Sequence, residues 1–351
     1  MNRLSDRINA LAPSATLAMS QKSNELRAQG VDVINLSVGE PDFFTPDHIK
    51  AAAKQAVDDN YSFYSPVPGY LSLRQAVCEK LRRENGLEYT PDQIVIGNGA
   101  KHELTNAIMA LINPGDEVII PTPAWVSYVQ MVNLAGGKSV LLPSSMEKNF
   151  KVTADELEAV MTDKTRLIII CSPSNPSGAI YNREELKAIA DMLARHPEVM
   201  VIADEIYEHI NYVGRHESLA QFDAIKEQVV IINGVSKAYA MTGYRIGYIA
   251  APLWVPRPSP RCRANTPAAC PRLPRRLPRL PITARRTASR RCASPLSAAA
   301  TSSWASCRKS PVSSSTCPTV LSTPSPRWTL TTASVAVTPS STMTTTSPCT
   351  C

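Results

Sequence analysis

The sequence predicts an α/β fold, a mostly parallel sheet with helices on both faces. Three observations carry that expectation. Between residues 94 and 232, short apolar runs dominated by Ile and Val alternate with helix-favouring stretches, the pattern of strands joined by crossover helices. Two of the helical stretches open on a capping box, Thr153 with Glu156 and Asn182 with Glu185. The apolar runs also end in turns built from Gly, Asn and Pro. Turns of this kind, at the carboxyl ends of parallel strands, are where open sheets bind ligands.

The elements follow in order. Ser20 to Arg27 is polar and helix-favouring, and Gly30 stops it. Val31 to Leu36 reads as a short strand. It leads into the turn-rich Ser37-Val38-Gly39-Glu40-Pro41-Asp42-Phe43, where Gly39 allows a ligand to approach the backbone closely. Pro46 opens a helix to about Asp58. Tyr61 to Gly69 is aromatic and proline-rich, too irregular for either regular structure. Leu71 to Asn85 reads as a helix with Leu73, Val77 and Leu81 on one face. Ile94 to Ile96 is a strand that runs through Gly97-Asn98-Gly99-Ala100-Lys101 into a helix ending at Leu111. The free N–H groups at that helix start suit a phosphate, although the glycine spacing is neither a dinucleotide fingerprint nor a Walker loop.

Glu117 to Ile120 is the next strand, and Trp125 follows its carboxyl end, placed either to stack on a planar ring or to pack a core edge. Val140 and Leu141 form a strand. The Thr153 box caps a helix to about Met161, and Arg166 to Cys171 is a buried-type strand ending in Ser172 to Gly178. The Asn182 box caps a helix to about Arg195. Val199 to Ala203 is a strand that delivers Asp204-Glu205-Ile206-Tyr207. Gln228 to Ile232 and Ile246 to Ala251 are strands flanking a loop that holds Ser236, Lys237 and Arg245.

Composition divides the chain near Val255. Residues 256–351 hold 13 Arg, one Lys and no Asp or Glu, a formal +14 against +7 for the whole chain, which leaves −7 on residues 1–255. Seven of the 9 cysteines lie in that tail, without metal-ligand spacing, so no metal site is expected. The tail is Pro/Arg/Ser/Thr/Ala/Cys text with no amphipathic period, a composition that does not bury enough apolar surface to fold. Two readings account for it: a disordered basic arm for anionic partners, or a reading frame slipped near Val255. The abrupt change, with Trp304, Trp328 and the cysteines, favours the second. The N-terminus lacks the apolar core of a secretion signal, and no apolar run would span a bilayer. A cytoplasmic protein with no membrane partner is expected.

The loop residues carry the chemistry. A lysine among small residues, flanked by apolar strands, points inward, and burial lowers its pKa towards the neutral amine that condenses with an aldehyde. Arg245 suits an anionic phosphate. A carboxylate at the end of a buried strand, Asp204, is costly without a cationic partner. These are the needs of pyridoxal 5′-phosphate: an amine, a carboxylate against the ring nitrogen, hydrogen bonds to the phenolic oxygen from Asn175 and Tyr207, a phosphate cradle, and a stacking ring.

The motifs resemble class I aminotransferases, pyridoxal-phosphate enzymes of fold type I, over about residues 3–255. Gly234-Val235-Ser236-Lys237 with Gly243, Arg245 and Gly247 resembles the family's lysine signature. Asn175-Pro176-Ser177-Gly178, Asp204-Glu205-Ile206-Tyr207 and Ser37-Val38-Gly39-Glu40-Pro41 resemble its other loops, and the overall likeness is greatest to bacterial aspartate aminotransferases. The resemblance implies Lys237, Asp204 and Tyr207 as catalytic residues. It implies Gly99, Ala100, Lys101, Trp125, Asn175, Ser236 and Arg245 as cofactor ligands, with Tyr64 reaching the phosphate of a partner subunit in a homodimer. Gly39, Trp125 and Asn175 would contact substrate.

The implied reaction is transamination between an L-amino acid, aspartate first, and 2-oxoglutarate, with activity expected to be impaired by the aberrant C-terminus. The implied domains are an arm and part of a small domain over 1–45, a cofactor-binding large domain over 46–255, and the tail. The family's arginine for the substrate α-carboxylate has no recognisable counterpart here. Two other functions stay open: another fold-type-I enzyme, such as an aromatic or kynurenine aminotransferase or a carbon–sulfur lyase, and a non-enzymatic binder of anions or nucleic acid through the tail, the less expected of the two.

Overall fold

The computed structural model describes residues 4–9, 11–13, 15–34 and 39–255. Every expectation placed on the tail, and on residues 35–38, including the end of the strand expected from Val31 to Leu36, lies outside the described residues.

The first helices are α1 (Asp6–Asn9), α2 (Ala15–Ala28), α3 (Asp47–Asp58) and α4 (Leu71–Lys80). Then come β1 (Ile94–Gly97), α5 (Ala100–Leu111), β2 (Glu117–Thr122), α6 (Ser127–Leu134) and β3 (Lys138–Pro143). The remainder is α7 (Ala154–Ala159), β4 (Thr165–Cys171), α8 (Arg183–Leu193), β5 (Met200–Asp204), β6 (Val229–Gly234) and β7 (Gly247–Ala250). The strands form one seven-stranded sheet in the order β1-β7-β6-β5-β4-β2-β3. All neighbours are parallel except β7, which runs antiparallel to both β1 and β6.

The expected two-sided cover is present. Alternate residues of each strand enter opposite cores, because successive side chains of a strand point to opposite faces. Ile168, Ile170, Val201, Ala203, Val229 and Ile231 pack with α4 and α8. Leu167, Ile169, Met200, Ile202, Val230 and Ile232 pack with α5 and α6. Covered on both faces, β5 and β6 are buried at every position, which is why they read as unbroken apolar runs. Each fully buried Val or Ile contributes about 1.5–3 kcal/mol.

Both capping boxes form. Glu156 N–H donates to Thr153 Oγ1 at 3.2 Å, and Thr153 N–H to Glu156 Oε2 at 2.9 Å. At α8 the reciprocal bonds between Asn182 and Glu185 are both 2.8 Å.

The structure corrects four expectations. Val31 to Ile34 is not a strand: no strand of the sheet lies outside 94–250 among the described residues, so this segment has no ladder to join, and Ile34 is 84% exposed. The helix from Leu71 does not stay α-helical to Asn85; its last turn, Leu81–Asn85, widens to a π-turn that ends on left-handed Gly86. The second helix starts at Ala15 rather than Ser20. Finally, α6 went unrecognised because Pro121 and Pro123 just before it masked a helix that opens without a side-chain cap. Among the described residues no helix is long and apolar enough to cross a membrane.

Candidate active site

The topology brings the loops together. Since β4, β5 and β6 are adjacent and parallel, their carboxyl ends deliver Asn175, Asp204 with Tyr207, and Ser236 with Lys237 to one edge of the sheet. The carboxyl end of β1 delivers the 98–101 loop to the same edge, and β2 delivers Trp125. Because β7 is reversed, its amino end lies there too and brings Arg245. An open cavity of about 640 Å³ results. Ala100, Lys101, Trp125, Asn175, Asp204, Tyr207, Ser236, Lys237, Arg245 and Gly39 all line it.

Two expected residues stand apart. Gly99 is not part of the wall; it lies behind it, against Arg245. Tyr64 is 86% exposed on the surface and does not line the cavity.

Asp204 is 3% exposed, and burial pushes its carboxyl up to about 6. Tyr128 Oη donates to Asp204 Oδ2 at 2.6 Å, and Ile206 N–H donates to Oδ1 at 3.3 Å; both bonds oppose the rise by favouring the carboxylate. Tyr128 is itself fully buried and its hydroxyl is held well above its ordinary pKa, so it stays a donor. Its ring also meets Trp125 edge-on at 5.5 Å. Sequence reasoning missed Tyr128. The available signal was its position three residues after Trp125, at the start of a helix that the prolines concealed.

Burial lowers the Lys237 pKa; Glu40 opposes that shift and Arg245 adds to it. The ammonium donates to the carbonyl of Gly39 and lies 5.8 Å from the centre of the Tyr207 ring. Thr242 donates to Glu40, so the 39–40 segment is tied to the lysine loop at two points. Asn175 Nδ2 donates to Tyr207 Oη at 3.5 Å, which sets the two side chains expected at a phenolic oxygen beside each other.

The cationic corner is tightly built. Arg245, in the left-handed region at φ +56°, donates to Thr242 O at 2.8 Å and to Asn98 O at 3.3 Å. Gly99 sits at φ +84°, and a Cβ there would fall 2.3 Å from Arg245 Nη2. A Cβ on Gly247 would fall 2.3 Å from Ala100 N and 2.4 Å from Gly99 C. Both glycines therefore let backbone and guanidinium close around the start of α5. Burial lowers the Lys101 pKa, with Arg245 adding to the effect, and its ammonium lies 5.2 Å from the Trp125 ring centre. Two cations and a helix start facing one corner favour an anion with two negative charges.

Comparison with known proteins is consistent with this arrangement. The profile of the family described as "Aminotransferase class I and II" matches residues 31–304. The aspartate/prephenate aminotransferase of Cereibacter sphaeroides is 50% identical over 252 residues, 71% of this chain and 63% of that protein. The aspartate aminotransferase of Bacillus subtilis is 47% identical over 250 residues, with coverage of 71% and 63%. The chain thus spans less than two thirds of the length of these curated relatives. Among solved structures, Thermus thermophilus aspartate aminotransferase with maleate superposes at TM-score 0.77 and 36% identity, covering 88% of this chain and 74% of that one. The Rhizobium meliloti aspartate aminotransferase superposes at 0.75 and 38% identity, with coverage of 86% and 70%. With the profile running through the whole described sheet, the chain belongs to the class I and II aminotransferases.

Proposed function

We propose that this chain binds pyridoxal 5′-phosphate and carries out transamination between an L-amino acid, aspartate first, and 2-oxoglutarate. One observation carries the reading: an inward lysine, a buried strand-end carboxylate and a two-cation anion corner converge on one cavity. The residues fit the cofactor on structural grounds. Asp204 is a buried carboxylate whose neighbours are a neutral phenol and a backbone N–H rather than a cation, so a protonated ring nitrogen would complete it. The corner closed by Gly99 and Gly247 fits a phosphate monoester. When bound, the cofactor supplies an aldehyde carbon and an electron-withdrawing ring that stabilises negative charge on the substrate α-carbon.

The chain's own groups do the rest. Lys237 Nζ would be the amine that holds the cofactor, and as a free amine it would carry the proton to and from the substrate α-carbon. Burial supports that role by raising the neutral fraction of the amine. Asp204 is ionised above pH about 6, and Tyr128 holds its Oδ2 in place. Asn175 and Tyr207 would hold the ring oxygen, Trp125 would stack on the ring, and Arg245, Lys101, Ser236 and the Ala100 N–H would hold the phosphate. Gly39 offers its backbone to the substrate beside Lys237.

The domain reading of arm, large domain and tail, a homodimer in which Tyr64 serves the partner subunit, and a cytoplasmic location belong to the same proposal. Aspartate is placed first because the relatives at about half identity carry aspartate in their names. The test is to mix the expressed chain with the cofactor and reduce with borohydride. Label on Lys237, lost in Lys237→Ala, together with aspartate-dependent oxaloacetate formation, supports the proposal. Label elsewhere, or none, overturns it.

A further inference from the structure

The turn that carries Asp204 and Tyr207 is held from its other side. Between them in sequence stands Glu205, 3% exposed and absent from the cavity wall that Asp204, Ile206 and Tyr207 line. Its N–H donates to Ile232 O at 2.9 Å, and its carbonyl accepts from Glu208 N–H at 3.0 Å. Its side chain turns away from the cavity. Ser218 Oγ donates to Glu205 Oε1 at 2.5 Å, and the same hydroxyl accepts from Ala220 N–H at 3.2 Å, which fixes the direction of the first bond. His216 Nε2 lies 3.2 Å from Glu205 Oε2, with the imidazole 8% exposed. Neither of these two atoms hydrogen-bonds any other group among the described residues. The chain leaves Tyr207, runs out through exposed Tyr212 and Val213, and returns to place His216 and Ser218 on this one carboxylate.

A buried carboxylate is costly unless its oxygens are satisfied and its charge is matched. Burial alone would lower the His216 pKa, but the charges of Glu205 and then Glu208 outweigh it and favour the imidazolium. Glu208 is itself engaged by Lys80 and, at 3.2 Å, by His209, which leaves His216 as the cation for Glu205. The other charge close by is Glu84 on the π-turn, 3.9 Å from Lys80. Tyr89 and Tyr248 also feel Glu205, but burial, the larger cause, holds both hydroxyls well above the ordinary value and keeps them neutral.

We propose that Glu205 is a positioning residue: anchored by Ser218 and His216, it fixes where the turn presents Asp204 and Tyr207, and the Glu205–His216 pair sets the electric field at the Asp204 carboxyl. The inference rests on the proposed cofactor site, in which Asp204 and Tyr207 would hold the ring, and deepens it. Burial is the largest cause of the raised Asp204 carboxyl, and the Glu205 charge adds to it. His216 faces that charge, so the two side chains act on Asp204 with opposite signs.

The test reads two quantities on the full chain. The first is the carbon-13 titration of Asp204 in the cofactor-free protein. Glu205→Gln removes the anion and should lower the Asp204 midpoint by about half a pH unit, whereas His216→Gln leaves the anion unmatched and should raise it by about as much. Loosened packing would admit water and lower the midpoint in both, so opposite signs separate the two causes. The second quantity is the affinity for pyridoxal 5′-phosphate, followed by absorbance. Glu205→Ala should weaken it about tenfold, the worth of one hydrogen bond to a charged group. Glu205→Gln, which still offers an oxygen to Ser218, should recover most of that loss. Should Glu205→Ala not fold, Ser218→Ala and Ser218→Thr remove and restore the same anchor without touching a charge.

Asp204 midpoints that stay at the wild-type value or move together in the two variants would overturn the inference, as would an affinity that Gln recovers no better than Ala. Either result leaves the cofactor site standing. Failure of the wild-type chain to take up pyridoxal 5′-phosphate would overturn the cofactor site instead, and the Asp204 titrations would then decide alone whether Glu205 and His216 govern that carboxyl.

Discussion

Tyr128→Phe isolates the environment of Asp204. The substitution removes one oxygen and keeps a buried ring against Trp125, so packing is preserved. What is lost is the 2.6 Å bond to Asp204 Oδ2. A hydrogen bond to a charged group is worth about 1.5–3 kcal/mol, and one pKa unit is about 1.4 kcal/mol. The Asp204 carboxyl should therefore rise by about 1–2 units from its starting value of about 6. At neutral pH the variant would hold Asp204 largely protonated, and the partner for a ring cation would be lost. The consequence for stability has a definite sign. Because the folded pKa lies above the ordinary value of 3.8, Asp204 favours the folded state most at low pH, and this contribution is lost as pH rises from 3.8 through about 6. In the variant the loss continues about 1–2 units further. Carbon-13 titration of the carboxyl in cofactor-free protein reads the pKa directly, and denaturant midpoints at pH 5, 7 and 8 read the linkage. Equal pKa values in wild type and variant would refute the assignment of Tyr128 as the group that keeps Asp204 ionised.

The remaining expectations concern other parts of the molecule. Gly247→Ala places a methyl against backbone atoms of Gly99 and Ala100, so it should cost about 1–3 kcal/mol or more in a denaturant titration and abolish cofactor uptake. Burial alone would raise the Glu208 pKa, but the charges of Lys80, His209 and His216 outweigh it and hold the carboxyl at about 2. The stability this carboxylate contributes is present above its ordinary value of 4.5 and lost as pH falls through about 2. Glu208→Gln removes the buried carboxylate that faces the Lys80 ammonium, which keeps its bond to Asn85 Oδ1 at 2.8 Å and lies 3.9 Å from Glu84, and should cost about 3–5 kcal/mol at pH 7, with a flattened acid limb below pH 4.5. Asn182→Ala removes the cap of α8 and should lower stability by about 1 kcal/mol without moving cofactor affinity. Re-reading the gene across the codons for Trp254 to Arg257 checks whether the frame slips near Val255, and an uninterrupted frame would remove that reading of the tail.

Much of the architecture could be read from residue patterns because both faces of the sheet are covered. Ile168 to Ile170 and Val229 to Ile232 have no polar face to complicate their run, and the capped starts at Thr153 and Asn182 are local chemistry that needs no tertiary partner. Val31 to Ile34 was misread for the converse reason: an apolar run specifies a strand only where a ladder exists to receive it, and that depends on the rest of the fold. Most of the cavity wall was legible, since Asn175, Asp204 and Lys237 each follow a strand end. Tyr128 was not, because it sits in a helix that the flanking prolines concealed and acts on a carboxylate 76 residues further along the chain.

The reversed strand has one more consequence. The pairing of Gly234 with Gly247 closes the segment between β6 and β7 into a short loop pinned at both ends. The amine that would bond the cofactor and the guanidinium that would neutralise its charge are both carried by that loop, so the distance between covalent and ionic anchors is a local quantity. Changes elsewhere among the described residues can alter what the site encloses without altering that spacing.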